Sequence, residues 1–254
     1  MKLKICHLYP ETLNLYGDRG NVLCMKKRLE WRGIDCEVDS LSIGDRKDLS
    51  DYDLFFMGGG QDFEQEVLLR DLAGHNGREI RRAIRNNKTF LCICGGYQIL
   101  GTHYETRDGV RCEFLGAIDL YTVGGDKRLI GNYAYRLADG GKDDLVVGFE
   151  NHSGRTYLGK GVRPLGKVLA GYGNNGKDHT EGVRFRNVYG TYSHGPVLPK
   201  NPGLCDRILK SALEQKYGLT ELPPLEDRFE KEAHEAALHQ VLGRKKRRVQ
   251  AWQK

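Results

Sequence analysis

Thr89-Phe90-Leu91-Cys92-Ile93 is an uncharged run that passes without a linker into Cys94-Gly95-Gly96-Tyr97-Gln98-Ile99-Leu100-Gly101. A short continuous run of this kind reads as a strand covered on both faces, the signature of a parallel sheet held between helical layers. Two glycines directly after such a strand let the chain reverse sharply, and the cysteine before them is lifted clear of the sheet. Its thiol is then left at the start of the next helix, where unpaired N–H groups favour thiolate, the nucleophilic form. The competing reading is a buried helix-capping cysteine; Cys92, two residues earlier, reads as a core residue of that sort.

The flanking pattern agrees with a doubly wound α/β fold built on a mostly parallel sheet. Residues 3–9 alternate as a first strand, and the turn-rich Asn14-Leu15-Tyr16-Gly17-Asp18-Arg19-Gly20-Asn21 leads into a helix over 22–32 stopped at Gly33. Strands follow at 36–43 and 53–57, with helical patterns at 63–73 and 76–86 before the elbow. Strand and helix alternating in this order define the fold class. Beyond residue 104 short β-like runs recur at 111–122, 128–137, 144–150, 165–172 and 182–192, which extend the sheet and form a β-ribbon around the site. A helix fits 201–217. The reading divides the chain into a main domain over 1–222 and a C-terminal helix and basic tail over 223–254. The thin apolar stripe of that helix (Phe229, Ala233, Ala236, Ala237, Val241) predicts loose docking, or docking on a partner.

The formal charge of +6 invites a nucleic-acid reading. Arg244-Lys245-Lys246-Arg247-Arg248 and Lys254 account for all of it, so the folded body carries no overall basic field and no nucleic-acid partner is expected. The first residues lack an apolar leader, and no stretch approaches the roughly 20 apolar residues of a membrane span. Seven cysteines, an odd number at irregular spacing, read as reduced thiols of a cytoplasmic protein. No metal site is expected, because Cys92-x-Cys94 has no second ligand pair. Gly171-x-Gly173-x-x-Gly176 is followed by a strand rather than a helix, which removes it as a dinucleotide site.

A cysteine nucleophile needs a base from elsewhere in the chain. Among eight histidines, His194 stands where the strand Val188-Tyr189-Gly190-Thr191-Tyr192-Ser193 ends in His194-Gly195-Pro196, and strand ends are where such sheets place their reactive groups. Amide hydrolysis also needs fixed N–H donors for the oxyanion. Gly95 supplies one; Gly58-Gly59-Gly60, directly after the strand 53–57, supplies the other from Gly59 or Gly60.

These motifs resemble the triad-type (class I) glutamine amidotransferases. Asn14–Asn21, Met57-Gly58-Gly59-Gly60-Gln61-Asp62, Cys94–Gln98 and Gly148-Phe149-Glu150-Asn151-His152-Ser153-Gly154-Arg155-Thr156 are similar to the cobyric-acid-synthase type. Within it, they look most like the glutaminase subunits of lipid II isoglutaminyl synthase, and Gly171–Asn175 and Gly190–Pro196 add to that match. The resemblance implies that Cys94 and His194 hydrolyse L-glutamine and that Gln98 contacts the substrate; Arg128, whose guanidinium fork suits the glutamine carboxylate, reads either as its partner or as an exposed strand arginine. It further implies a Mur-ligase-like partner in a heterodimer, which binds ATP and Mg and amidates D-glutamate of lipid II near the inner face of the plasma membrane. No G-x-x-x-x-G-K-[ST] loop is present, in keeping with a chain that carries no cofactor of its own. The pattern departs from the class at Pro196, where most members place a glutamate two residues after the histidine. A Cys–His dyad, or an acid from elsewhere such as the partner in trans, is therefore expected, with low activity in the isolated chain. Asp18, ending a turn before a helix, reads first as a helix cap, with a role near the site as the second reading. An amidotransferase for another carboxylate, such as a corrinoid side chain, and a non-catalytic binding module of the same fold are the readings left beside this one.

Overall fold

The computed structural model describes residues 1–60 and 62–251, with side chains for 1–60 and 67–243. Two six-stranded sheets organise it. The first contains β1 (Lys2–Leu8), β2 (Asp35–Leu41), β3 (Leu54–Met57) and β4 (Thr89–Ile93), joined much later by β11 (Val183–Phe185) and β12 (Val188–Thr191). Its order is β11-β12-β4-β3-β1-β2, and every pair is parallel except the β11–β12 hairpin at one edge. α1 (Gly20–Glu30) connects β1 to β2, and α2 (Asp62–Leu72) with α3 (His75–Arg85) connects β3 to β4.

The central strands earn their place by burial. All four residues of β3 and all five of β4 are buried, and Phe55 of β3 stacks on Phe90 of β4 with ring centroids 4.5 Å apart. Each such side chain is worth roughly 1.5–3 kcal/mol for leaving water, enough to hold the two strands centrally.

Between β4 and β12 the chain leaves this sheet to build a second one. It comprises β5 (His103–Glu105), β6 (Arg111–Glu113), β7 (Leu120–Leu137), β8 (Leu145–Leu158), β9 (Gly166–Ala170) and β10 (Thr180–Glu181). The two expected runs around 111–122 and 128–137 resolve differently from their outline. β7 runs unbroken through Gly124–Leu129, absorbing the glycine pair in a register shift against β8 instead of stopping there. Likewise 182–192 is a hairpin, turned at Arg186 with φ 51°.

After β12 come a short helical turn, α4 (Gly95–Gln98) having preceded the second sheet, then α5 (Pro202–Tyr217) and α6 (Arg228–Ala251). The last helix docks thinly: Phe229, Ala233 and Ala236 of the expected stripe are exposed. Leu238 and Val241 pack on Ala134 and Val147 of the second sheet, and buried Arg28 of α1 pairs with Asp227 (2.7 Å) just before α6 and with Asp206 (2.7 Å) in α5. A buried guanidinium needs such partners, so the segment before α6 is tied to the body. The side chains of Arg244–Arg248, and Lys254 entirely, lie outside the described residues. No described helix is long and apolar enough to cross a membrane.

Candidate active site

Cys94 adopts φ 48°, ψ −112°, a backbone conformation that non-glycine residues avoid. Such strain costs on the order of 1–3 kcal/mol and persists only when the surroundings impose it. Here they do. The Cys94 N–H is anchored to the Thr191 carbonyl (2.8 Å), and a Cβ on Gly96 would lie 2.6 Å from the Gly58 carbonyl oxygen. The elbow therefore sits against the glycine loop after β3, and only glycine fits at 96. α4 is a single turn, so the polarising contribution expected from a long helix is reduced to local N–H groups; that of Gly95, at the first helical position, has no intrahelical partner.

β12 lies beside β4 with Thr191 opposite Ile93, which brings the residues after each strand together although 100 positions separate Cys94 from His194. The His194 N–H donates to the Phe149 carbonyl of β8 (2.8 Å), and Tyr16 packs edge-on to its ring at 4.8 Å. Burial disfavours the imidazolium, yet the adjacent Cys94 and the carboxylate of Asp18 outweigh it and raise His194 to about 10. The arrangement therefore favours a protonated imidazole facing Cys94. Among the described residues neither ring nitrogen makes a well-aligned hydrogen bond, a looseness common before substrate tightens a site.

Asp18 corrects the sequence reading in two respects. Its side chain does not cap α1, whose N-cap position is Arg19 without a side-chain bond. Fully buried, its Oδ2 lies 3.4 Å from His194 Nδ1 and accepts the Gly59 N–H at 2.8 Å. The position two residues after the histidine is Pro196, and Gly20 packs directly under it: a Cβ at 20 would lie 2.5 Å from Pro196 Cγ. The loop after β1 thus fits against the His-Gly-Pro corner and delivers the carboxylate that this corner lacks, so the acid need not come from another chain.

The same contact corrects one glycine. With its N–H committed to Asp18, Gly59 is not the second oxyanion donor; it serves as the support of the carboxylate. A Cβ there would also stand 2.6 Å from His194 Cε1. Of the two candidates, Gly60 is the one whose N–H this contact does not occupy.

Gln98 is buried one turn beyond the nucleophile, its Nε2 donating to the Tyr192 hydroxyl at 2.8 Å within a chain that continues to Thr156 and Thr122. Arg128 is exposed at the β7 irregularity and donates from Nε to Asn151 Oδ1 (2.7 Å) and from Nη2 to the Asn151 carbonyl (3.0 Å). Asn151 in turn donates from Nδ2 to the Tyr16 hydroxyl, and the Tyr16 ring packs on His194, so Arg128 belongs to the rim of the same site. The Glu150–Arg155 segment walls the site: His152 stacks on Tyr192 with centroids 3.5 Å apart. Sequence reasoning overlooked Tyr16, whose signal was only its place in the Asn14–Asn21 turn, and Tyr192.

Behind the wall Glu181 is fully buried, its Oε1 accepting from Thr191 Oγ1 (2.7 Å), the Tyr192 N–H (2.9 Å) and the Tyr133 hydroxyl (2.9 Å). Burial, only partly offset by these bonds, raises its carboxyl from the usual 4.5 to about 7. Between those values the folded chain keeps a proton that the unfolded chain has lost, so this group's contribution to stability declines as pH rises from 4.5 to 7 and is level above. Urea denaturation of wild type and Glu181→Gln should show a stability difference, wild type minus variant, that is larger at pH 5 than at pH 7.5. A difference independent of pH would contradict the assignment.

Taken together, these features are those of an amide-hydrolysing cysteine site on the elbow fold of class I amidotransferases. The chain belongs to the CobB/CobQ-like glutamine amidotransferase family, whose model matches residues 4–202. It is 42% identical over 236 residues to the lipid II isoglutaminyl synthase (glutamine-hydrolyzing) subunit GatD of Streptococcus pneumoniae, covering 92% of this chain and 90% of that protein. To the subunit of the same name in Staphylococcus aureus it is 38% identical over 247 residues, covering 97% and 99%. A solved glutamine amidotransferase of Thermotoga maritima shares the fold with a TM-score of 0.55 at 16% identity, over 94% of this chain and 98% of that one.

Proposed function

We propose that this chain is the glutamine-hydrolysing subunit of a lipid II isoglutaminyl synthase. The observation that carries the reading is the buried Asp18–His194 pair set beside the strained Cys94, in a chain similar to two such subunits over nearly their whole lengths.

In this reading the Cys94 thiolate attacks the side-chain amide carbon of L-glutamine. The oxyanion is received by the N–H groups of Gly95 and Gly60. His194, already protonated, gives its proton to the departing ammonia, leaving a thioester on Cys94; the neutral imidazole then activates water to release glutamate. Asp18 holds the ring in orientation and supports its charge. Gln98 positions the elbow helix and, with Arg128, the substrate. A guanidinium matches an α-carboxylate in geometry and charge, so Arg128→Ala should raise KM for glutamine tenfold or more while kcat changes little, as steady-state kinetics would register.

The ammonia passes to a Mur-ligase-like synthetase partner in a heterodimer, which binds ATP and Mg and amidates the D-glutamate of lipid II. The work is cytoplasmic, at the inner face of the plasma membrane, and serves peptidoglycan synthesis. This assignment is tested by glutamate release from glutamine and by amidation of lipid II, with the chain alone and with the synthetase. Hydrolysis together with amidation that requires both proteins is expected. Hydrolysis without any amidation would redirect the acceptor, and no hydrolysis in either mixture would remove the enzyme.

A further inference from the structure

Seven cysteines are present as free thiols, and two of them meet outside the active site. Cys24 of α1 and Cys205 of α5 have their sulfurs 3.9 Å apart although 181 positions separate them. A disulfide brings two sulfurs to about 2.05 Å, a closure that side-chain rotation and a small helix shift supply when the sulfurs already touch. The two thiols differ in access. Cys205 is fully buried, whereas Cys24 is half-buried and lines an open, mainly apolar cleft of about 320 Å³ with Leu23, Lys27, Trp31, Pro199 and Pro202.

We propose that Cys24 and Cys205 form a two-cysteine redox site, in which Cys24 is oxidised by a peroxide entering the cleft and Cys205 resolves it as a disulfide. The Cys24 thiolate attacks one peroxide oxygen, breaking the O–O bond to give a sulfenic acid and, for hydrogen peroxide, water. The Cys205 thiol then attacks the Cys24 sulfur, forming the S–S bond while its proton leaves with the expelled hydroxyl as a second water; two thiols are oxidised and one peroxide is reduced.

The local chemistry suits these roles. Hydrogen bonding with Cys205, against burial and aided by the Arg28 guanidinium, holds Cys24 below the usual thiol range, while burial pushes Cys205 well up. Cys6 and Cys92 are fully enclosed and pushed up by that burial, Cys6 to about 12, so neither competes. The bridge has a structural consequence. α1 begins two residues after Asp18 and α5 begins eight after His194, so the bond fastens together the helices that follow the two loops of the site.

The full chain carrying Cys94→Ser, to silence the nucleophile, is treated with hydrogen peroxide, quenched with an alkylating agent, and digested without reduction. The expected product is two hydrogens lighter, joins the peptides containing residues 24 and 205, melts several degrees higher, and reverts with dithiothreitol. In the same background Cys205→Ser should trap a dimedone-reactive sulfenic acid on Cys24, and Cys24→Ser should leave Cys205 fully alkylatable after unfolding. Circular dichroism verifies that both variants fold. Peroxide that oxidises other thiols while Cys24 remains free, or a bridge between any other pair, would overturn the proposal.

Discussion

Glutamate release from glutamine is expected to fall by at least about 10³-fold when Cys94 is replaced by alanine, with the fold and partner binding retained. The size follows from what is removed. Without the thiol no thioester forms, and what remains is the rate that the oxyanion donors and the bound geometry give to direct attack by water. The fold should survive because the strained backbone at 94 is imposed from outside, by the Thr191 carbonyl, by Gly96 against the Gly58 carbonyl, and by the buried β4 behind it. The thiol takes no part in those contacts. Circular dichroism and thermal melting of Cys94→Ala should therefore match wild type within a few degrees. An alanine variant that still hydrolyses glutamine at more than a few per cent of the wild-type rate would mean that Cys94 is only a structural elbow.

The second large effect belongs to Asp18. Asp18→Asn keeps the size of the side chain but removes the negative charge facing His194 Nδ1 at 3.4 Å, and it offers an amide where the ring needs an acceptor. The charge of Asp18 is among the influences that keep His194 protonated up to about 10, so its loss should lower the histidine's pKa and disturb its orientation. We expect kcat for glutamine to drop by roughly 10²–10⁴-fold with KM nearly unchanged, the pattern of an interaction that matters chiefly in the transition state. The pH–rate profile should shift with it: an alkaline limb set by the imidazolium should move to lower pH in the variant. Both measurements belong on the isolated chain and on the chain with its synthetase. If the variant is silent in isolation but restored by the synthetase, the effective acid comes in trans, as the Pro196 departure first suggested. If it is silent in both, the acid is in this chain. A merely structural Asp18 would lower thermal stability without moving the pH profile.

How far the residues alone could be read depended on whether the controlling contacts were local. The elbow was legible because its parts are contiguous: an uncharged strand, a cysteine and two glycines dictate their own geometry. The parallel sheet followed from β3 and β4, whose residues are buried on both faces and so show no alternation. The second sheet was harder. Glycine pairs read as strand ends, and Gly124–Gly125 instead became an irregularity inside β7, because pairing along β8 on both sides outweighs the local cost. The final helix read as loosely docked, and its thin stripe gave no sign of the pair that ties its approach to the body, Arg28 and Asp227, 199 positions apart.

The acid is the sharpest case. Asp18 sits before a helix, where short-range logic makes it a cap, and nothing within ten residues contradicts that. Only the parallel placement of β1, β3, β4 and β12 sets its carboxylate between the Gly59 N–H and His194. The order of residues was enough to specify the fold class and the family, and to single out Cys94 as the candidate nucleophile. The carboxylate beside the histidine, the bond from the Gly59 N–H to Asp18, and the meeting of Cys24 with Cys205 were decided by packing, since each joins side chains or loops that are neighbours in space and strangers along the chain.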